Sequence, residues 1–400
     1  MKRILIVSPQ LIFPPIDGGK KCIYHHIKML ENENEVSLVM GNAEKAISLL
    51  EKYCDVKKAF FFKRNNNRIR KSNAFFKIYE ILKWLVSGLP RQAQTIFSKV
   101  NREVVMNYIV ENKIDVVVLE SPYASEYLDL ERVKRLKIKI ILIEHNVEYL
   151  FSKDYLKKFG ILAKIEIKRI FQYEKKIVSD SNMVISISDF DAAFIKNKFQ
   201  IEHIKYLPLY LPTNSISWNI NYNKYIIFTG SLEFYPNYHG IKWFLENVFI
   251  EYLKENPSIV LKITGEISRE KKKEFAMYNN VQFTGLLPKE ELERLELNCL
   301  FSIVPVLKGS GIKIKLLEAL SYGIPTIATV HTFQGIPYDE NSNIPYLIGK
   351  NEIEFLKSML LLTGDEKKRK ALSKNAKNFF NEVYASKSNV ERWKNEILNF

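Results

Sequence analysis

The densest set of groups able to hold a phosphate lies between residues 306 and 329. A short apolar run ends at Pro305, and Lys308-Gly309-Ser310-Gly311-Ile312-Lys313 follows it, then Ile314-Lys315-Leu316-Leu317-Glu318. Glycines let a backbone come close to an anion, and the free N–H groups and dipole at a helix start favour negative charge there. The amides around Ser310, Gly311 and Ile312 are therefore candidates for a diphosphate, with Lys313 and Lys315 adding positive charge. Glu318 lies on the helix that the pattern starts near Ile312, and its two acceptor oxygens suit a ribose diol. A Gly-Ser-Gly turn alone is as often a plain surface loop. It is the whole run, continued by Gly323-Ile324-Pro325 and an apolar strand, that points to a nucleotide site.

In the N-terminal half, Glu144-His145-Asn146-Val147-Glu148 follows an aliphatic run, so its side chains belong at a strand end. His145 is the candidate catalytic residue; the resemblance described below implies that Asn146 and Glu148 lie on the side of an acceptor. Pro14-Pro15-Ile16-Asp17-Gly18-Gly19-Lys20 is a glycine loop between a first strand and a helix. A loop with no ligand is the plain alternative; its resemblance to the first glycine loop of the family named below implies Gly18 and Gly19 beside a donor phosphate and Asp17 beside an acceptor. Ser186 and Ser188 at another strand end are explained almost as well by a helix N-cap. GxGxxG is absent, which disfavours a nicotinamide dehydrogenase. No His/Asp/Glu set with metal-ligand spacing is picked out, so no metal and no cofactor is expected. A diphosphate would be neutralised by amides, lysines and helix dipoles.

The elements that must position these groups are βα units. Short aliphatic runs alternate with longer amphipathic segments, the pattern of parallel sheets covered by helices. Strands are predicted at residues 4–7, 36–40, 115–119, 138–143 and 183–187, with a long basic helical region from Glu148 to Val178. After a Pro- and Asn/Ser-rich stretch at 206–224, strands recur at 225–228, 259–263, 281–283, 301–305 and 326–328, with helices at 241–252 and 314–320. The fold class is thus α/β, with an N-terminal Rossmann-like domain at 1–205, a linker at 206–224 and a second Rossmann-like domain at 225–385. Residues 386–400 form a final helix. Ligands of open α/β sheets bind beyond the carboxyl ends of the strands, and two such halves facing each other would make a cleft.

Taken together, the 306–329 run, Phe228-Thr229-Gly230-Ser231 with Pro236-Asn237, and the strand-end glycines of Thr264-Gly265-Glu266 and Thr284-Gly285-Leu286 resemble GT-B glycosyltransferases of the retaining group 1, or family 4, type. The resemblance implies ribose binding by Glu318 and diphosphate binding by the amides at Gly311 and Ile312. It also implies donor contacts from Gly230, Ser231, Asn237 and Gly265, and a wall against the base from Leu286. It gives His145 a positioning role in a retaining transfer, and sends the final helix back to the N-terminal domain. Two departures matter. The family's first glutamate falls at Ser310, and its Arg/Lys pair is replaced by Ser231 and Asn237, so Lys313 or Lys315 is expected to compensate.

A net charge of +15 calls for an anionic partner. The basic, aromatic stretch from Phe60 to Trp84 suits an anionic lipid surface or a lipid-linked acceptor as well as a charged loop. No nucleic-acid module is recognisable. The start of the chain is too short in apolar residues for a secretory signal, no run approaches about 18 apolar residues, and the three cysteines form no cluster, which together predict a cytoplasmic protein, peripheral on the inner membrane face. The expected activity is transfer of a sugar from a nucleotide-diphosphate sugar to a glycan or lipid-linked acceptor in surface polysaccharide synthesis. An inactive binding subunit of a glycan-assembly complex, or a nucleotide-sugar epimerase or hydrolase, are the alternatives.

Overall fold

Each aliphatic run that the sequence marks as a strand lies in one of two parallel sheets. The structure is a computed structural model that describes all residues except 16, 42–51, 64–73, 157–159, 221–222, 310, 334, 338–344 and 400. The first sheet contains β1 (Arg3–Ser8), β2 (Glu35–Gly41), β3 (Lys58–Phe62), β4 (Val116–Leu119), β5 (Lys139–Glu144), β6 (Met183–Ser186) and β7 (Ile204–Tyr206), in the order β3-β2-β1-β4-β5-β6-β7. The second contains β8 (Tyr225–Thr229), β9 (Val260–Thr264), β10 (Val281–Gly285), β11 (Ser302–Val304), β12 (Thr326–Thr329) and β13 (Leu347–Gly349), in the order β10-β9-β8-β11-β12-β13. Neighbouring strands are parallel, with Ile4 opposite Val116 in one sheet and Phe228 opposite Ile263 in the other. In both, the order changes direction between the first strand and the fourth, which is where such sheets hold ligands.

Both sheets are covered on their two faces, which is why their strands read as continuous apolar runs rather than alternating ones. In the first, Leu5, Val117 and Leu142 pack with Met106 and Ile109 from one helix and Ile177 from another. In the second, Phe228, Ile263 and Ile303 pack with Phe244, Phe249 and Met359.

Compact units form from Met1–Tyr210 with Lys387–Phe400, and from Leu211–Ser386. The stretch 206–224, expected as a linker, is largely packed: Leu207, Leu209, Leu211 and Trp218 are buried. Trp218 donates its backbone N–H to Tyr322 O (2.7 Å) and its indole N–H to Cys299 O (2.8 Å). The prolines that suggested a linker terminate pairing without freeing the chain. Three strands escape the sequence reading, β3, β7 and β13, and each is a sheet edge. An edge strand needs apolar residues on fewer sides, so its signal is weak. The basic helical region is two helices, Glu148–Leu156 and Gly160–Asp180, and the helix expected at 241–252 is interrupted by a π turn at Leu245–Phe249.

The closing helix, Lys387–Leu398, packs within the first unit. Its buried Trp393 donates Nε1–H to Pro208 O at 2.7 Å, and its ring lies 4.6 Å from that of His26. Lys394 pairs with Glu33 at 2.6 Å. Trp393→Ala should lower stability by about 3–5 kcal/mol through the cavity it leaves, with Trp393→Phe costing clearly less. Equal losses in urea unfolding of the full chain would assign the effect to the indole hydrogen bond instead of packing.

Candidate functional site

Gly230 follows β8 with φ 143°, in the region that disfavours side chains. A Cβ there would stand 2.6 Å from Lys315 Nζ and 2.9 Å from Asn237 Nδ2, so only glycine lets the lysine reach the end of the strand. Gly265, after β9 with φ 103°, is constrained in the same way: its Cβ would lie 2.8 Å from Ser231 N. The turn is tied by Gly230 N–H to Thr264 O (3.1 Å) and Leu232 N–H to Glu266 O (2.8 Å). Ser231 Oγ serves that turn, donating to Glu266 O at 3.3 Å and accepting from Glu233 N–H at 3.1 Å.

Asn237 is buried in the Tyr235–Phe244 helix. Its Nδ2 donates to Ser231 O (2.8 Å) and its Oδ1 accepts from Lys315 Nζ (2.6 Å). Lys315 Nζ also sits 4.3 Å from the centre of the Phe228 ring. The lysine stem keeps some exposed surface, but its ammonium is enclosed by these groups. That burial, with Lys313's charge, pulls the pKa down to about 7 against an opposing pull from Glu318. A neutral amide oxygen and a ring face are poor compensation for a buried cation. Gly230, Ser231, Asn237, Gly265 and Lys315 therefore form one contiguous cluster past the ends of β8 and β9.

The loop after β11 joins this cluster where Gly309 lies against Pro236. Lys313 Nζ donates to Gly309 O (3.3 Å) and Gly311 O (2.6 Å), so it closes the loop, and His331 Nε2 also reaches Gly309 O, at 2.6 Å. Ser310 lies outside the described residues. The helix begins at Ile314, as the 314–320 prediction has it, with Ile312 and Lys313 left to the loop. Among the described residues no side chain caps its start, and of its first amides Leu316 N–H is taken by Lys313 O at 2.8 Å. Glu318 is half-buried on that helix, and Leu286 is 75% exposed beyond β10.

In the first unit, His145 follows β5 and its Nε2 lies 2.8 Å from Glu120 Oε2. Glu120 follows β4 and is buried; His26 Nδ1, from the Gly18–Glu31 helix, lies 3.1 Å from its Oε1. Burial pushes the Glu120 carboxyl up, but the two imidazoles outweigh it and hold it down at about 2. The ligand-capable atoms of His26, Glu120 and His145 lie within 4.8 Å of one another, a set of the kind that holds a divalent metal. Sequence spacing shows nothing of it, since Glu120 and His145 advertise themselves only as polar residues at strand ends and His26 is mid-helix. Asp17 caps that helix, its Oδ1 accepting from Lys20 N–H and its Oδ2 pairing with Lys20 Nζ, both at 3.0 Å. Gly18 and Gly19, expected in a loop, are instead the helix's first residues. Asx capping by Asp17 starts the helix earlier than the glycines suggest.

Behind His145 lies a group of buried carboxylates. Glu174 accepts from the backbone N–H groups of Glu148 (2.6 Å) and Tyr149 (3.0 Å), capping the next helix. Burial pushes the Glu148 carboxyl up to about 7, with Asn146 opposing the shift through a hydrogen bond. Glu144 is buried with no hydrogen-bond partner at either oxygen. Burial first, then the charges of Glu174, Glu148 and Asp191, raises it well above the usual carboxylate range. Ser188 Oγ accepts from Asp191 N–H at 3.1 Å and so acts as a helix cap.

Residues 223–368 match the family model for glycosyl transferases group 1. An uncharacterized 44.6 kDa protein in the cps region of Klebsiella pneumoniae is 25% identical over 405 residues, covering 97% of each chain. Among solved structures, S. aureus TarM with UDP and alpha-GlcNAc-glycerol superposes with a TM-score of 0.71 at 12% identity, covering 100% of both chains. Anabaena HepE with UDP-glucose gives a TM-score of 0.69 at 12% identity, again over 100% of both chains. Sucrose-phosphate synthase of Thermosynechococcus elongatus gives 0.67 at 13% identity, over 98% of this chain and 97% of its own. These likenesses establish the GT-B architecture.

The Glu144 carboxyl titrates higher in the folded chain than in the unfolded one, where it ionises near pH 4.5. Its contribution is complete below that pH and is lost as pH rises toward the folded value. Glu144→Gln should therefore raise the melting temperature at pH 8, by the equivalent of about 1–3 kcal/mol, and much less at pH 5. A pH-independent difference would show that Glu144 does not ionise on unfolding as described.

Proposed function

From a chain whose C-terminal unit carries a glycosyl transferases group 1 domain on a GT-B fold, we propose an enzyme that moves a sugar from a nucleotide-diphosphate donor to a glycan or lipid-linked acceptor. The donor sits in the C-terminal unit, with its diphosphate on Lys315 and on the uncapped amides near Gly311 and Ile312, and its ribose on Glu318. The acceptor belongs to the N-terminal unit, near His145, Asn146 and Glu148. A UDP-sugar is the first donor to try, given the UDP and UDP-glucose complexes of the structural relatives. The cps-region relative favours surface polysaccharide synthesis as the setting. Retention of configuration and independence from a metal complete this reading; Lys315 supplies counter-charge that a divalent ion would otherwise give.

The observation that carries the proposal is the buried, undercompensated ammonium of Lys315 beside Gly230 and Asn237. Such a cation is costly until an anion arrives. It favours Lys315 over Lys313 as the replacement for the family's missing pair, because Lys313 is turned to the carbonyls of its own loop.

A second surface supports a lipid-linked acceptor. On the Ala74–Ser87 helix, Trp84 is buried with its Nε1 donating to Glu166 (2.8 Å), and the Arg169 guanidinium lies 4.6 Å from its ring centre. The opposite face leaves Ile78, Tyr79, Leu82 and Val86 exposed. Lys63, Arg64, Arg68, Arg70 and Lys71 precede it in the chain. Apolar residues beside clustered bases suit the interface of an anionic bilayer. No helix among the described residues is long and apolar enough to cross one.

A melting-temperature panel of UDP-, GDP-, dTDP- and ADP-sugars tests the donor site. A ligand at 100 times its Kd should stabilise wild type by about 2.7 kcal/mol. Glu318→Ala and Lys315→Met should lose that response, while unliganded Lys315→Met melts at or above wild type because a buried charge is gone. Donor binding should also take up a proton, weakening as pH rises above about 7. A folded wild type that responds to no donor overturns the assignment. For the membrane face, Leu82→Ser with Val86→Ser should weaken sedimentation with phosphatidylglycerol-rich vesicles at least about tenfold; unchanged binding refutes that surface.

A further inference from the structure

Glu120 is not one of the residues that the sequence assigns to chemistry, yet three observations make it the hub of the N-terminal site. Its side chain is wholly buried, it faces two imidazoles, and the backbone fixes it, its N–H donating to Val7 O at 2.9 Å. An ionised carboxylate is acceptor-only. Each nitrogen turned toward it must therefore carry a hydrogen: Nδ1–H in His26 and Nε2–H in His145. The remaining nitrogens, His26 Nε2 and His145 Nδ1, are buried without a hydrogen-bond partner among the described residues. A lone pair is tolerated there more easily than an unmet N–H.

We propose that Glu120 is a positioning residue for His145, fixing its ring plane and its Nε2–H tautomer so that Nδ1 is kept as an acceptor. This rests on the reading of His145 as an acceptor-side residue of a transferase. His26 in turn anchors Glu120, and Trp393 of the closing helix packs on His26. The line of contact thus runs from the C-terminal helix through His26 and Glu120 to His145. With Nε2–H held on Glu120, the ring keeps one tautomer and one plane, and its second, buried nitrogen is left as a lone pair and not as an unmet N–H. The same three residues as a metal site would need both outer ring nitrogens donating to second partners, as metal-bound histidines ordinarily do. Neither has one.

The test is long-range 1H–15N NMR of the full chain with 15N-labelled histidine, His145 being assigned by His145→Gln. Wild type should show His145 as Nε2–H. Glu120→Gln, which offers one acceptor and one donor in place of two acceptors, should convert one ring or mix the tautomers. With UDP-glucose and UDP-N-acetylglucosamine as probes and water as the acceptor, release of UDP and free sugar should fall on the order of 10- to 100-fold in Glu120→Gln, with the nucleotide-induced melting shift retained. An Nδ1–H tautomer of His145 in wild type overturns the proposal, and this reading does not depend on Glu120→Gln folding. So does a Glu120→Gln protein with unchanged tautomers and turnover. Zinc titration that shifts both ring signals and raises the melting temperature of wild type, but not of His26→Gln, overturns it in favour of a metal centre. If neither probe is turned over by wild type, the transferase reading fails with those donors while the tautomer result still decides the role of Glu120.

Discussion

A parallel strand covered by helices on both faces has no room for polar chemistry along its length. Polar groups must be placed where the strand stops, and in this chain they are. Glu120 follows β4, Glu144 ends β5 and His145 follows it, Gly230 follows β8, Gly265 follows β9, and the glycine-rich loop leaves from β11. In each sheet the first and fourth strands lie side by side. Their carboxyl ends open onto the crevice where connections diverge to opposite faces, so the geometry of strand ends is the geometry of the candidate sites.

Three buried ionisable groups at those ends show how differently a fold can treat charge. Glu120 is fully compensated: two imidazoles outweigh the cost of burial and keep it ionised. Glu144, with no hydrogen-bond partner and carboxylates for neighbours, is driven to the neutral acid. Lys315 lies between these limits, sharing its ammonium with an amide oxygen and an aromatic face, so its charge is sustained only marginally near neutral pH. A compensated charge makes a rigid scaffold, a neutralised one stays structural, and a marginal one is where an incoming anion gains most. On that physical ordering the first unit holds a carboxylate set between two imidazoles, and the second a cation faced only by an amide oxygen and a ring.

Much of the architecture was legible in the residues. The interior strands of both sheets are aliphatic on both sides, and nothing but a doubly covered parallel sheet asks for that pattern. The glycine-rich loop and the helix carrying Glu318 could be seen for a similar reason, since glycine, lysine and the helix period are local signals. Edge strands β3, β7 and β13 were not legible, because a strand paired on one side tolerates charged and exposed residues. The 206–224 stretch contains the boundary between the two units, at Tyr210/Leu211, and is nevertheless packed by Leu207, Leu209 and Trp218, because proline and asparagine mark an end of regular hydrogen bonding and not a free chain.

By itself, then, the sequence determined the fold class, the two sheets, and the strand ends at which polar residues gather, because each depends on the periodicity of nearby residues. Only the tertiary structure decided which of those residues meet. It turned Lys313 inward to its own loop and Lys315 toward Asn237, a distinction invisible in two lysines separated by one isoleucine. It brought His26 from the middle of a helix to Glu120, far along the chain, and placed Trp393 from the final helix behind it. Those contacts arise from how sheets twist and helices pack over them, and no local pattern of residue types encodes that.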